Sequence, residues 1–384
     1  MKILYIGSSS DFHIDLWVQY FTKNHNVFLF SEKENYLPKK KFKEVEVIYS
    51  AGVIGRILNF FNSNSHKLFQ LNKLISTLMY SKKIDKIVRE KDIDIIHAHN
   101  LYQGFICSFI KSKVPIVFTP MGSDVIIHAQ KNFLYKFMAK NAFKRADIVT
   151  GDSLLIQRKG LLVGAKQSKN YIIQNGVDSK KFFPKSSSIR KLLNINEDDF
   201  LIYSPRGLDD IYNIKKIIEV VALLNQQGIK VKCMISFGFG ESNLAMLKKC
   251  ISDYNIEDLI VWIGSLEYDD MPDYYNSADV IISIPDSDSS PKTVYEAMFC
   301  KKPVVVSDLD WVNETLGDKN CVIKVDHKSN ESIKDSIIRL YEDYNYRERI
   351  SNNALNVSKK YFDYYENMKQ MESLMISEIE HNEL

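Results

Sequence analysis

The sequence has no apolar run approaching the roughly 18 to 20 residues that a membrane-crossing helix needs, so a transmembrane protein is not expected. Its opening, MKILYIGSSS, has no basic leader ahead of a long apolar stretch, and the expected location is the cytoplasm, at most at the inner face of the cell membrane. Cysteine is scarce. Cys107, Cys233, Cys250, Cys300 and Cys321 form an odd set without a CxxC pair, which argues against a disulfide framework or a zinc knuckle and for buried thiols. A short-period repeat and a low-complexity tract are also missing, which sets repeat architectures aside.

What is present fits a soluble globular protein. At 384 residues the chain exceeds what one hydrophobic core usually serves, so two domains are expected. The net charge of +3 conceals a split: residues 1–183 carry 28 Lys+Arg against 14 Asp+Glu, and the remainder carries 23 against 34. A basic first half points to an anionic partner such as membrane phospholipid or a lipid diphosphate, although a solvated Lys-rich surface explains it equally well. Nucleic acid is not an expected partner.

Short apolar runs recur with helical stretches between them: KILYIG (2–7), NVFLF (26–30), VEVIY (45–49), IDIIHAH (93–99), PIVFTP (115–120), DIVTGDS (147–153) and YIIQNG (171–176). The pattern restarts with FLIYSP (200–205), VKCMISFG (231–238), LIVWIG (259–264), DVIISIP (279–285), PVVVSD (303–308) and CVIKVD (321–326). Continuous apolarity without alternation is what strands buried on both faces require, so each series predicts a parallel sheet covered by helices. The expected fold class is α/β, with two Rossmann-like doubly wound domains facing a central cleft. The boundary is placed near 183, in the turn-rich NGVDSKKFFPKSSSIRKLL, giving domains 1–183 and 184–363. Sheets of this kind bind ligands beyond the carboxyl ends of their strands, so chemistry is sought there.

After DVIISIP comes DSDSSPKTVYEAMFCKKPVVVSD. Ser290 suits an N-cap and Pro291 a first helical position, so the amides near Lys292 and Thr293, with the helix dipole, make a diphosphate seat to which Lys292 adds a cation. Seven residues separate Glu296 from Asp288; at Glu296 a carboxylate can accept two hydrogen bonds from a ribose diol, while Asp288 on the loop can reach hydroxyls of a sugar. As unrelated features, Glu296 is a surface helix acid and Asp288 a loop cap. This segment resembles the E-x7-E signature of glycosyltransferase family 4 and its "EAM…PVV.sd" continuation, with Asp288 in place of the first glutamate and Cys300-Lys301-Lys302 in place of a glycine. Asp286-Ser287-Asp288 also imitates a metal-binding DxD, but a helix N-terminus with cations can neutralise a diphosphate without Mg²⁺.

In FLIYSPRGLDDIYNIKK, Arg206 sits just past a strand end, where a planar fork can clamp a diphosphate, and resembles the arginine of the family's "GRL…KG" motif. Tyr212 stands where that motif has its second basic residue; Lys215 is the candidate replacement, Lys216 its rival, and solvated helix charges the plainer account of both. Gly238 and Gly240 resemble the family's glycine turn, and Ile263 to Leu266 lies where the family packs its nucleobase.

In the first half, Gly7 and Ser8 follow the first strand and resemble the small-residue loop beneath the donor phosphates; a simple turn also needs a glycine there. His97 and His99 share one face of a strand end, and members of the family often read "D..H.H" here, so both are acceptor-side candidates with zinc the remoter reading. His13 resembles the histidine of a subgroup with "H….W" in the first helix. Met121 stands where many members carry a histidine that contacts the donor sugar, a bond Met cannot make, whereas Asp124 matches the family. The resemblance implies the GT-B fold, with helix 364–384 returning to the first domain, and retaining transfer from a nucleoside diphosphate sugar, a UDP-sugar foremost. The acceptor is a glycan hydroxyl, lipid-linked where the basic half and ILNFFNSNSHKLFQLNKLISTLMY (57–80) meet an anionic membrane. No cofactor or metal is implied. Two rivals stay open: an epimerase on the same fold, and a sugar-nucleotide-binding partner subunit without turnover.

Overall fold

The computed structural model describes residues 1–8, 12–31, 45–50, 66–121, 133–288, 290–317 and 319–383. Asp124, the His13 side chain, residues 57–65 of the 57–80 segment and the side chains of its residues 66–74 lie outside the described residues. The chain divides into two compact units, Met1–Asn175 with Tyr365–Leu384, and Gly176–Tyr364.

In the first unit, β1 (Lys2–Ile6), β2 (Asn26–Ser31), β3 (Glu46–Tyr49), β4 (Ile95–His99), β5 (Ile116–Thr119), β6 (Ile148–Gly151) and β7 (Asn170–Ile172) pair in the order β3-β2-β1-β4-β5-β6-β7. In the second, β8 (Phe200–Ser204), β9 (Val231–Ser236), β10 (Ile260–Gly264), β11 (Val280–Ser283), β12 (Val304–Ser307) and β13 (Ile323–Val325) pair in the order β10-β9-β8-β11-β12-β13. Every neighbouring pair is parallel. These strands read as continuous apolar runs because helices cover both faces; β4, β8, β11 and β12 are buried at every position. Each sheet reverses its order once, between β1 and β4 and between β8 and β11, and such a point opens a crevice at the strands' carboxyl ends.

The change of unit expected near 183 falls at 175/176 instead. Val177 and Phe182 are fully buried in the second unit's core, so the turn-rich segment belongs to that unit and is not a free connection.

The helix Tyr364–Glu383 packs on the first unit through a polar knot. Glu372 accepts from the Tyr20 hydroxyl at 3.0 Å and lies 2.5 Å from His25 Nε2, while Lys169 reaches Glu378 at 3.3 Å. Burial first, and the Glu372 carboxylate second, push the Tyr20 hydroxyl up to about 12. Removing Glu372 leaves two half-buried groups without their acceptor, so Glu372→Ala is expected to cost about 1–3 kcal/mol. Urea unfolding measures it; a midpoint equal to that of the wild type would refute the knot's contribution.

Candidate functional site

In the second unit β8 and β11 are neighbours at the point of reversal, so the loops that follow them meet. The loop after β8 is pinned on both sides. Leu208 N–H donates to the Phe239 carbonyl at 3.1 Å, and Asp286 N–H donates to the Ile211 carbonyl at 2.9 Å. Asn213 Nδ2 adds a bond to the Ile284 carbonyl at 3.0 Å, and Asn243 Nδ2 one to the Leu208 carbonyl at 2.9 Å. Gly240 makes the close approach possible: its φ is +80°, and a Cβ there would lie 2.5 Å from Asp209 N. A Cβ at Gly238 would meet only Ser265 Oγ, at an ordinary 3.6 Å, so of the two predicted glycines it is Gly240 that the turn requires.

This frame fixes Arg206. Its Nη1 donates to Thr293 Oγ1 at 3.0 Å, its Nη2 to Asp288 Oδ2 at 2.9 Å, and its guanidinium lies 4.5 Å from the centre of the Tyr212 ring. Tyr212, which takes the place of a second basic residue, thus supports the arginine from its face. Arg206 and Asp288 are both largely buried, so the pair is shielded from solvent screening.

Thr293 belongs to the helix Lys292–Phe299. The expected cap is corrected here: Pro291, with φ −71° and ψ 111°, is the N-cap, and it gives the first turn no side-chain cap bond. The Ser290 hydroxyl is drawn away to the Tyr295 hydroxyl at 3.2 Å, and the Tyr295 ring stacks on Phe362 at 3.9 Å. Among the described residues no side-chain cap bond closes the helix start, Arg206 lies beside it, and its first amides and dipole favour an anion.

One turn into the helix, Glu296 is 2 % exposed and accepts from the Tyr275 hydroxyl at 2.9 Å. Burial pushes its carboxyl above the usual range, opposed by Lys292, by the Tyr275 bond and by Arg206. Lys292 is half-buried, 4.9 Å from the Tyr268 ring centre, and burial lowers its ammonium against the pull of Glu296 and Asp178. Lys181 faces the same ring at 5.5 Å. Asp178, Lys181, Tyr268 and Tyr275 were missed at the sequence level; Asp178 and Lys181 sit in the segment read as a connection, and only the burial of Phe182 beside them signals otherwise.

Lys215 is not brought to the arginine. Ile214, Ile217 and Ile218 face the core, which turns Lys215 outward, where it is 58 % exposed and 3.9 Å from Glu219; Lys216 instead reaches the Lys328 carbonyl at 3.4 Å. Leu266 lies half-buried on the loop after β10.

In the first unit, Gly7 follows β1 beside the end of β4. A Cβ at Gly7 would lie 2.1 Å from Ile14 Cδ1 and 3.7 Å from His99 Cβ, so its small size serves packing; Ser8 is half-buried next to it. His97 and His99 do share a face, with rings 4.2 Å apart, but both are fully buried rather than open to an acceptor. Trp17 meets His97 edge-on at 5.0 Å, and Thr119 Oγ1 lies 2.7 Å from His97 Nε2. Burial first, then His99, hold His97 well below the usual histidine value and hence neutral. Met121 is half-buried at the end of the described segment after β5.

Two family models match successive parts of the chain: Glycosyl transferase 4-like over residues 2–153 and Glycosyl transferases group 1 over residues 185–357. An uncharacterized glycosyltransferase of Methanocaldococcus jannaschii is 26 % identical over 63 % of this chain and 61 % of its own length. The alpha-monoglucosyldiacylglycerol synthase of Streptococcus pneumoniae is 23 % identical over 62 % of this chain and 57 % of its own. The chain thus spans about three fifths of the length of these two relatives. Among solved structures, Anabaena HepE in complex with UDP superimposes with a TM-score of 0.78 over 98 % of this chain and 100 % of that one, at 18 % identity, which shows a shared fold. The two matched models, the pair of parallel sheets and the arginine at a helix start together place this chain among the GT-B glycosyltransferases of family 4 type.

Proposed function

We propose that the chain moves a sugar from a nucleoside diphosphate sugar, a UDP-sugar foremost, to a hydroxyl of a lipid-linked glycan, with retention at the anomeric carbon, in the making of cell-surface polysaccharide or glycoconjugate. The observation that carries this reading is the Arg206 fork, held by Thr293 and Asp288 at the start of the Lys292–Phe299 helix. The solved HepE complex holds UDP, and the Streptococcus pneumoniae relative is a synthase of a glucosylated lipid, which support a UDP-sugar donor and a lipid-bearing acceptor. In this reading the second unit holds the donor and the first the acceptor, at the inner face of the membrane. The bond from the anomeric carbon to the diphosphate oxygen breaks as the acceptor oxygen bonds to that carbon, and the acceptor's proton passes to the departing oxygen. Arg206 and the helix amides stabilise the charge that builds there. Lys292 supplies the second cation in place of Lys215, and the reaction needs no added metal.

A donor that binds only the folded protein must stabilise it, by about 2.7 kcal/mol at a hundredfold excess over Kd. The expected result is a raised unfolding temperature with UDP and a UDP-sugar, and UDP release that needs acceptor and survives EDTA. Release without acceptor would favour an epimerase or hydrolase, binding without release a partner subunit, and no response to any nucleotide would end the proposal.

A further inference from the structure

The loop after β11 carries two acids, and they go to different partners. Asp288 meets Arg206, whereas Asp286 turns to the segment after β8. Its N–H donates to the Ile211 carbonyl at 2.9 Å, and its Oδ1 accepts from Asn213 Nδ2 at 2.8 Å. The same Asn213 amide also donates to the Ile284 carbonyl at 3.0 Å. These bonds clip residues 211–213 to residues 284–286. From the other side His327, two residues past β13 and largely buried, brings its Nε2 to 3.3 Å from the same Asp286 oxygen.

Asn213 is shaped for this use. It is the N-cap of the helix Ile214–Gln226, yet its side chain makes no cap bond there, and its φ is +55°. An asparagine at that position ordinarily accepts from the first turn, and its left-handed backbone is tolerated at a cost. The amide is committed to the neighbouring loop instead. The clip thereby joins the two supports of Arg206: Tyr212, against the guanidinium face, directly precedes Asn213, and Asp288, on the guanidinium edge, follows Asp286 by two residues.

We propose that Asp286 is a positioning residue for sugar transfer: by gripping Asn213 it holds Tyr212 and Asp288 in one arrangement and so sets the direction of the Arg206 fork. It touches no substrate itself. The inference rests on the transfer reaction proposed above, and it gives the first acid of Asp286-Ser287-Asp288 a task other than metal ligation. Misplacing a catalytic group by about 1 Å can cost roughly a hundredfold in rate, so loosening this one should cost about tenfold.

The test joins steady-state kinetics to hydrogen exchange on the full chain. Asp286→Ala and Asn213→Gly, the latter because glycine accepts the positive φ, should each lower kcat about tenfold and change the donor KM less than about twofold. The double variant should be no slower than either single one, since both remove the same bond. In an Arg206→Ala background neither should slow the reaction further, whereas a general loss of folded protein would persist there. Asp286→Asn keeps an oxygen for the Asn213 amide and should recover most of the turnover. Whether or not sugar is transferred, exchange of the Asp286 amide should quicken about tenfold in Asn213→Gly, so an inactive wild type would end the transfer reading and leave the clip to be judged by exchange. Full kcat in Asp286→Ala, a loss that adds in full to that of Arg206→Ala, unchanged exchange in Asn213→Gly, or an inactive Asp286→Asn restored by Mn²⁺ would overturn the proposal.

Discussion

Arg206→Ala is expected to slow sugar transfer by about 100- to 1,000-fold, the range seen when one preorganised donor to a developing oxyanion is lost. The argument is geometric. Arg206 has two N–H groups committed to Thr293 and Asp288 and a ring against its face, so the remaining N–H edge is fixed before any ligand arrives. Such fixed donors need no reorganisation when charge develops. Arg206→Lys keeps the charge without the planar fork and should recover only a small part of the rate. Tyr212→Leu removes the ring and should cost roughly fivefold, about 1 kcal/mol. Steady-state kinetics with a saturating donor decides; full turnover in Arg206→Ala would remove the arginine from the reaction.

The second large effect splits stability from binding. Burial raises the folded-state carboxyl of Glu296 above its unfolded value. A raised group favours the folded state most below the unfolded pKa, and that favour is lost as pH rises through the folded pKa. Above the folded pKa the charged Glu296 is therefore a burden on the fold, carried beside Lys292 and Arg206. Glu296→Gln keeps an oxygen for the Tyr275 hydroxyl and discharges the site, so its stability should equal or exceed that of the wild type above that range. Its affinity for UDP should fall by roughly thirtyfold, about 2 kcal/mol, if the carboxylate receives the ribose hydroxyls. Thermal unfolding from pH 4 to 8 and calorimetric titration with UDP measure the two. Unchanged UDP affinity would confine Glu296 to the core.

The sheets were legible because burial on both faces leaves the strands mostly apolar; every apolar run named from the sequence overlaps a strand of the structure. Arg206 and the Asp288 to Glu296 segment were legible because they follow strands at the point of reversal. What was hidden depends on distant partners. Ser290 reads as a cap until Tyr295, itself held by Phe362 far along the chain, takes its hydroxyl. The outward turn of Lys215 was readable from the phase of Ile214, Ile217 and Ile218, and is the one miss that periodicity alone corrects. Asp178 and Lys181 sit among turn-forming residues, and nothing local says that Phe182 is core.

The division of the chain also bears on how it is made. The second unit, Gly176–Tyr364, is continuous in sequence, whereas the first is completed only by residues translated after it. A long intervening segment would oppose docking of the returning helix through loop-closure entropy. The folded second unit removes most of that cost, because Val177 N–H donates to the Phe362 carbonyl at 2.8 Å and Tyr364 N–H to the Val177 carbonyl at 3.0 Å, so its two ends lie next to each other. Gly176, at φ +68° with Tyr364 N 2.7 Å from where a Cβ would be, is what lets the strands pass so closely. The second unit thus acts as a folding clasp: once formed, it delivers the helix that bears Glu372 to Tyr20 and His25 as if the intervening chain were a few residues long.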